Sequence, residues 1–209
     1  RGRVLFDGHD VHFKGPLEAR EAGIETVFQN LALADDLDVP SNLFLGREKL
    51  LVKLGPFSIL DFKGMRTATE DALKRTAVKI PNLANTIRNM SGGQRQCVAI
   101  ARTATFASKL IIMDEPSASL TADEVDRLHG TIRELARRGV TVLLISHFLE
   151  EVLELTTTTI IMRDGEVVRI GPTKEESIDS LVSGMVGRSL ETRYFENDSA
   201  KTERVRLSV

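Results

Sequence analysis

The chain predicts an α/β fold: a parallel sheet covered by helices, with antiparallel hairpins and an inserted, partly helical lobe. Three observations carry this reading. "KLIIMDEP" (109–116) and "GVTVLLISH" (139–147) are continuous apolar runs ending in polar residues, the pattern of strands buried on both faces. The segment between them has helical periodicity, so the order is strand, helix, strand, with a crossover expected to be right-handed. Alternating stretches about Asp7-Gly8 and Asp164-Gly165 mark hairpins, because such dipeptides supply the positive φ of two-residue turns.

Taken in order, "RVLFDGHDVHF" (3–13) is the first hairpin, and "GIETVFQN" is a short strand ending at Gln29. A less regular region follows, punctuated by Pro40, Pro56 and Pro81, with helical patterning over 64–77. In "RNMSGGQRQCVAIARTA" (88–104), Ser91 and Gln94 have capping-box spacing, which places Gly92 and Gly93 in the first turn of a helix. Inside a helix each glycine would cost about 1 kcal/mol relative to alanine. In the first turn the backbone N–H groups have no intrahelical partner, and a bare helix start of this kind suits a phosphate. An ordinary turn-helix junction would also read as "SGG".

"TADEVDRLHGTIRELARRG" starts with Thr121 and Glu124, again at capping-box spacing. Val125, Leu128, Ile132 and Leu135 make one apolar stripe, and Gly139 stops the helix. "TTIIMRDGEVVRIG" is the second hairpin, and residues 191–209 read as a polar tail or linker.

With 28 basic and 30 acidic residues and a net charge of -2, the chain shows no basic face, so nucleic acid is not an expected partner. A single cysteine, Cys97, excludes an intramolecular disulfide and points to a reducing compartment; it reads as a packing residue. No apolar run approaches the roughly 20 residues of a membrane span. His9, His12, His129 and His147 lack metal-ligand spacing.

In open parallel sheets ligands bind at the carboxyl ends of strands. The first apolar run ends Asp114-Glu115 and the second ends Ser146-His147. An acid at a strand end can hold Mg²⁺, and an acid one residue further on can take a proton from an attacking water. Two acids capping a strand at the solvent would look the same, and a single histidine after a strand is often structural. The two positions are level enough to share a site.

The series decides between these readings. "VFQ", "MSGGQRQ", "LIIMDEP" and "LLISH", in this order and spacing, resemble the ATP-binding cassette (ABC) ATPases over about Gly2 to Arg188. The resemblance implies a P-loop NTPase-like fold, ATP and Mg²⁺ as cofactors, and a role for each motif. Met90 to Gln96 match the signature motif, whose Ser91, Gly92, Gly93 and Gln94 would bind ATP held by a partner cassette. Gln29 matches the Q-loop and Ser117 to Thr121 the D-loop. Asp114 and Gln29 would hold the metal. Glu115 would activate water, with His147 and Gln29 acting at the γ-phosphate.

"NLALADDLDVPSNLFLGRE", "RDGEVV" and "LVSGMVGRSLETRY" resemble the ATPase subunits of bacterial simple-sugar importers of the ribose, xylose and fructose kind. That resemblance implies a second cassette (homodimer or tandem) and membrane permease subunits as partners. A periplasmic sugar-binding protein would be an indirect partner, and the location the cytoplasmic face of the inner membrane. Residues 1–190 would form a partial nucleotide-binding domain, with 1–30 and 107–172 as core and β part and 31–106 as the helical lobe.

The family's phosphate loop, G-x-x-x-x-G-K-[ST], is absent, and no Gly-Lys dipeptide occurs in the chain. The family places that loop upstream of the first hairpin, so Arg1 is expected to be a truncation point and the chain to bind nucleotide poorly alone. Met90 stands where leucine is usual, and Thr156 to Thr159 stand where an acid is common. A non-catalytic module that presents its signature helix, and a cassette ATPase that moves no solute, are the rival readings.

Overall fold

The computed structural model of the chain describes residues 2–28, 30–54, 57–75, 80–107 and 109–187. Gln29, Arg188 and the 191–209 stretch lie outside the described residues. The chain forms two compact units, 1–148 and 149–209.

In the first unit, β1 (Val4–Phe6) pairs antiparallel with β2 (His9–Val11) about Asp7 (φ 54°) and Gly8 (φ 78°), the expected hairpin. The Asp7 carboxylate accepts a hydrogen bond from Lys109 Nζ at 2.8 Å, and that ammonium holds the carboxyl below its usual pKa. A short helix not foreseen from the sequence, α1 (Pro16–Glu21), starts on its proline, where the missing N–H costs nothing. Then come β3 (Ile24–Val27), α2 (Val39–Leu43), a hairpin of β4 (Leu50–Leu54) and β5 (Phe57–Leu60), α3 (Phe62–Arg75), α4 (Gly92–Phe106), β6 (Leu110–Asp114), α5 (Ala122–Arg137) and β7 (Thr141–Ile145). The β4–β5 hairpin lies in the region read as irregular. α3 accounts for the helical patterning over 64–77.

The sheet is parallel, ordered β3-β6-β7, with Val27 opposite Met113 and Asp114 opposite Ile145. Burial on both faces is met only in part. On β6, Ile111 and Met113 are fully buried, each contributing about 1.5–3 kcal/mol, while Leu110 and Ile112 are half-buried. On β7, Leu143 and Ile145 are 42% and 48% exposed among the described residues. Among the described residues β7 is an edge strand of this sheet, and an apolar run reads the same whether or not a layer lies over it.

α5 is built as its sequence predicts. Its stripe buries Leu128, Ile132 and Leu135, and Gly139 follows it at φ 84°. A separate apolar cluster joins α2, α3 and α4 through Val39, Leu43, Met65, Ala72, Met90 and Val98. Met90, 7% exposed, is therefore a packing residue.

The second unit holds α6 (Leu149–Leu155), β8 (Thr158–Arg163), β9 (Glu166–Pro172) and α7 (Ile178–Val186). The hairpin turns at Asp164 (φ 53°) and Gly165 (φ 81°), as expected. Three threonine hydroxyls form a directed chain. Thr156 Oγ1 donates to Val152 O at 2.8 Å, so it accepts from Thr173 Oγ1 (2.9 Å), which in turn accepts from Thr159 Oγ1 (2.8 Å). This chain pins the end of α6 to the hairpin, which is a structural use for the threonines at 156 and 159. Among the described residues no helix is long and apolar enough to cross a membrane.

Candidate functional site

β6 delivers Asp114 to its carboxyl end, half-buried, and the chain leaves the strand at Glu115 with φ 48°. A side chain in this left-handed region costs about 1 kcal/mol or more, a strain that surrounding structure must hold in place. The holding contact is Glu115 N–H donating to Ile145 O at 2.8 Å, which extends the parallel ladder by one residue. Glu115 Oε1 meets His147 Nδ1 at 3.0 Å, joining residues 32 apart in sequence. An ionised carboxylate only accepts, so the contact takes its proton from Nδ1 and leaves Nε2 for another partner. The His147 ring lies against Phe148 at 4.2 Å between centroids and 33° between planes. Phe148 N–H bonds Ser146 Oγ at 3.0 Å and fixes the turn that follows β7.

Among the described residues no three His, Cys, Asp or Glu side chains gather into a cage for a metal ion. A single half-buried carboxylate at a strand end is still a fitting donor for Mg²⁺, which commonly takes one or two protein carboxylates and completes its octahedron with phosphate oxygens and water.

The signature turn stands apart from this pair: among the described residues no hydrogen bond or ion pair joins Ser91–Gln94 to Glu115 or His147. Ser91 Oγ accepts from Gln94 N–H at 3.2 Å, and Gln94 Oε1 accepts from Ser91 N–H at 3.1 Å, so the predicted capping box is complete. The adjacent glycines have different reasons. Gly92 is exposed, and a Cβ there would meet only Ser119 Cβ at 4.0 Å. Gly93 is buried, and a Cβ there would sit 2.7 Å from Glu124 Oε1 and 2.8 Å from its Cδ. The α5 box is made by the same carboxylate, which accepts from Thr121 N–H at 2.9 Å and Thr121 Oγ1 at 3.0 Å. Cys97, one turn along α4, is pushed up to about 11 by burial and then by the Glu124 charge, in keeping with a packing thiol.

Sequence reading missed the groups that shape the chain on either side of Gln29. Glu25, 7% exposed on β3, makes ion pairs with Arg47 (2.5 Å) and Arg20 (3.9 Å); these are charge contacts, since Oε1 accepts no well-aligned hydrogen bond. Its signal was there: Glu25 shares the buried parity of Val27, a place where a strand ordinarily carries an apolar side chain. Arg102 of α4 donates to Ala32 O at 2.8 Å and Leu31 O at 3.0 Å. Asn42, fully buried, accepts from Ala34 N–H and donates to Ala34 O, Leu37 O and Asp38 O.

Comparison with known proteins gives the family and the fold. The ABC transporter family model matches residues 1–118. The ribose import ATP-binding protein RbsA of Lactococcus lactis subsp. cremoris (strain SK11) is 40% identical over 204 residues, 98% of this chain and 40% of that protein. Ribose import ATP-binding protein RbsA 1 of Streptomyces coelicolor is 38% identical over 208 residues, 100% of this chain and 40% of that protein. The chain thus spans about two fifths of the length of the curated relatives it matches. Among solved structures, a dimeric ATP-binding cassette in a post-hydrolysis state with ADP and Pi superposes with a TM-score of 0.69 at 22% identity, covering 83% of this chain and 74% of that one. The cbiO1 protein of Clostridium perfringens, part of an ABC transporter complex, gives 0.66 at 28% identity, covering 87% and 70%. The fold is the P-loop NTPase-like one expected, and by its motifs, its fold and these relatives the chain belongs to the ABC transporter ATPase family.

Proposed function

We propose that the chain is the ATP-hydrolysing part of a subunit that energises import of a simple sugar, the reading supported by its ribose-import relatives. The observation that carries the chemistry is the Glu115–His147 contact at the end of the central strand, with Glu115 held at positive φ. When bound, ATP would supply the phosphoryl group and Mg²⁺ would offset charge developing on its oxygens. Glu115 takes the proton of the attacking water on its carboxylate. His147 orients that carboxylate through Nδ1–H and, as the imidazolium, donates Nε2–H to the γ-phosphate, a position that Gln29 also serves. Asp114 holds the metal together with Gln29.

Ser91, Gly92, Gly93 and Gln94 meet ATP bound by a second cassette, with the N–H groups of the helix start as donors. The partners in this reading are that cassette, in a homodimer or tandem, and membrane permease subunits, with a periplasmic sugar-binding protein acting indirectly. The work site is the cytoplasmic face of the inner membrane. Residues 1–30 and 107–172 serve as nucleotide core and β part, 31–106 as the lobe that transmits closure, and 191–209 as a tail or linker.

Glu115→Gln in the complete subunit is expected to lower steady-state ATP hydrolysis about 10²- to 10⁴-fold while leaving nucleotide binding intact. Unchanged hydrolysis refutes the general-base role. The rival reading is a module that only presents its signature turn to a partner cassette. Calorimetry with Mg-ATP separates the two. This chain alone is expected to bind weakly, and joined to an upstream segment bearing a G-x-x-x-x-G-K-[ST] loop it is expected to bind well; weak binding by both favours the presenting module.

A further inference from the structure

We infer that Glu124 is a positioning residue that locks the signature turn of α4 to the loop 117–121, so that two segments held apart in sequence move as one. The first half of the joint is the cap. The Glu124 carboxylate accepts from both Thr121 N–H and Thr121 Oγ1, which fixes its rotamer and ties it to the end of the loop. The second half is the close approach. Gly93, on the buried side of the first turn of α4, leaves only the room that this carboxylate fills. Real Cβ atoms essentially never come within 3.0 Å of such a group, so a side chain at 93 obliges the Glu124 carboxylate, the far end of a flexible side chain, to shift away from its place beside Thr121. The neighbouring Gly92, with open space around it, gives α4 no such grip. Cys97 reports the same proximity, since the Glu124 charge reaches its thiol.

The importance of the joint for ATP rests on the proposed function, in which Ser91–Gln94 face nucleotide on a second cassette. A rigid joint would present the helix N–H groups at one fixed distance from the loop, which is what recognition of a developing charge requires.

The test is a double-mutant cycle on the 209-residue chain, read by thermal unfolding. Gly93→Ala alone is expected to lower Tm by about 2–4 °C, the response of a chain of this size to a weakened cap. In a Glu124→Ala background the same change is expected to leave Tm level or raise it, since alanine is the better helix former once the carboxylate is gone. Equal Tm losses in the two backgrounds overturn the proposal. Should the double variant fail to fold, Glu124→Asp decides: the shorter carboxylate leaves room for a Cβ at 93, so Gly93→Ala is expected to cost less Tm in that background, and an equal cost overturns the proposal.

Hydrolysis by the complete subunit then tests the role. Glu124→Ala is expected to lower kcat at unchanged nucleotide affinity and Glu124→Gln to restore it. A coupled pair with unaltered kcat would keep the joint and refute the assignment of the turn to ATP.

Discussion

Asn42 is where a single substitution should tell most about the loop after Gln29. Its side chain is fully buried; Oδ1 accepts from Ala34 N–H at 2.7 Å, and Nδ2 shares its two hydrogens among Ala34 O (3.0 Å), Leu37 O (3.2 Å) and Asp38 O (3.1 Å). Asn42→Ala leaves Ala34 N–H without its partner, at about 1–3 kcal/mol, and forfeits two donated bonds at about 1 kcal/mol each. Water entering the vacated space returns part of this, so the net cost is about 3 kcal/mol. For a unit the size of residues 1–148, this lowers Tm by about 6–12 °C.

Asn42→Asp refines the test. It keeps the acceptor but sets a carboxyl against three carbonyl oxygens, which raises its pKa in the folded state. A raised group stabilises fully below its unfolded value of about 3.9, and that stabilisation is lost as pH rises through the folded value. The Asp variant should therefore weaken between about pH 4 and pH 7, while the Ala variant stays level against wild type. Circular dichroism melts across that range read both. A Tm loss under about 2 °C for Asn42→Ala, or an Asp variant that strengthens with pH, would refute the reasoning.

Two smaller predictions follow from the same kind of accounting. Cys97, pushed up to about 11, should react with a thiol reagent at pH 8 at least about 100-fold more slowly than an ordinary cysteine, and accelerate toward pH 11; a free-thiol rate refutes its burial. Thr173→Val keeps shape but breaks the hydroxyl chain at its middle, at about 1–2 kcal/mol, so the Thr173 amide should exchange about 5- to 30-fold faster. Unchanged exchange would show that the chain does not hold α6 to the hairpin.

Much of the framework was legible in the sequence because its signals are local. Asp7-Gly8 and Asp164-Gly165 demand positive φ, and the turns stand there. Ser91 with Gln94 and Thr121 with Glu124 lie within one turn of their partners, so the caps follow from spacing alone. The stripe of α5 and the apolar run of β6 are periodicities of the chain itself. The β4–β5 hairpin was missed because its strands carry no clean alternation, and α1 because six residues hold too little pattern.

By itself the sequence determined which residues could do chemistry and where α4 and α5 start: Asp114 and Glu115 end one apolar run, His147 ends another, and two glycines open α4. The tertiary structure alone decided that Glu115 and His147 touch, that Glu115 sits at positive φ, and that among the described residues β7 is an edge strand with Leu143 and Ile145 exposed. It also decided that Glu25 is buried between arginines and that Gly93 lies against the Glu124 carboxylate. These depend on parallel pairing and helix packing between segments tens of residues apart. The strand partner and the packing neighbour at each point are set by the whole fold, and no window of sequence contains both halves of such a contact.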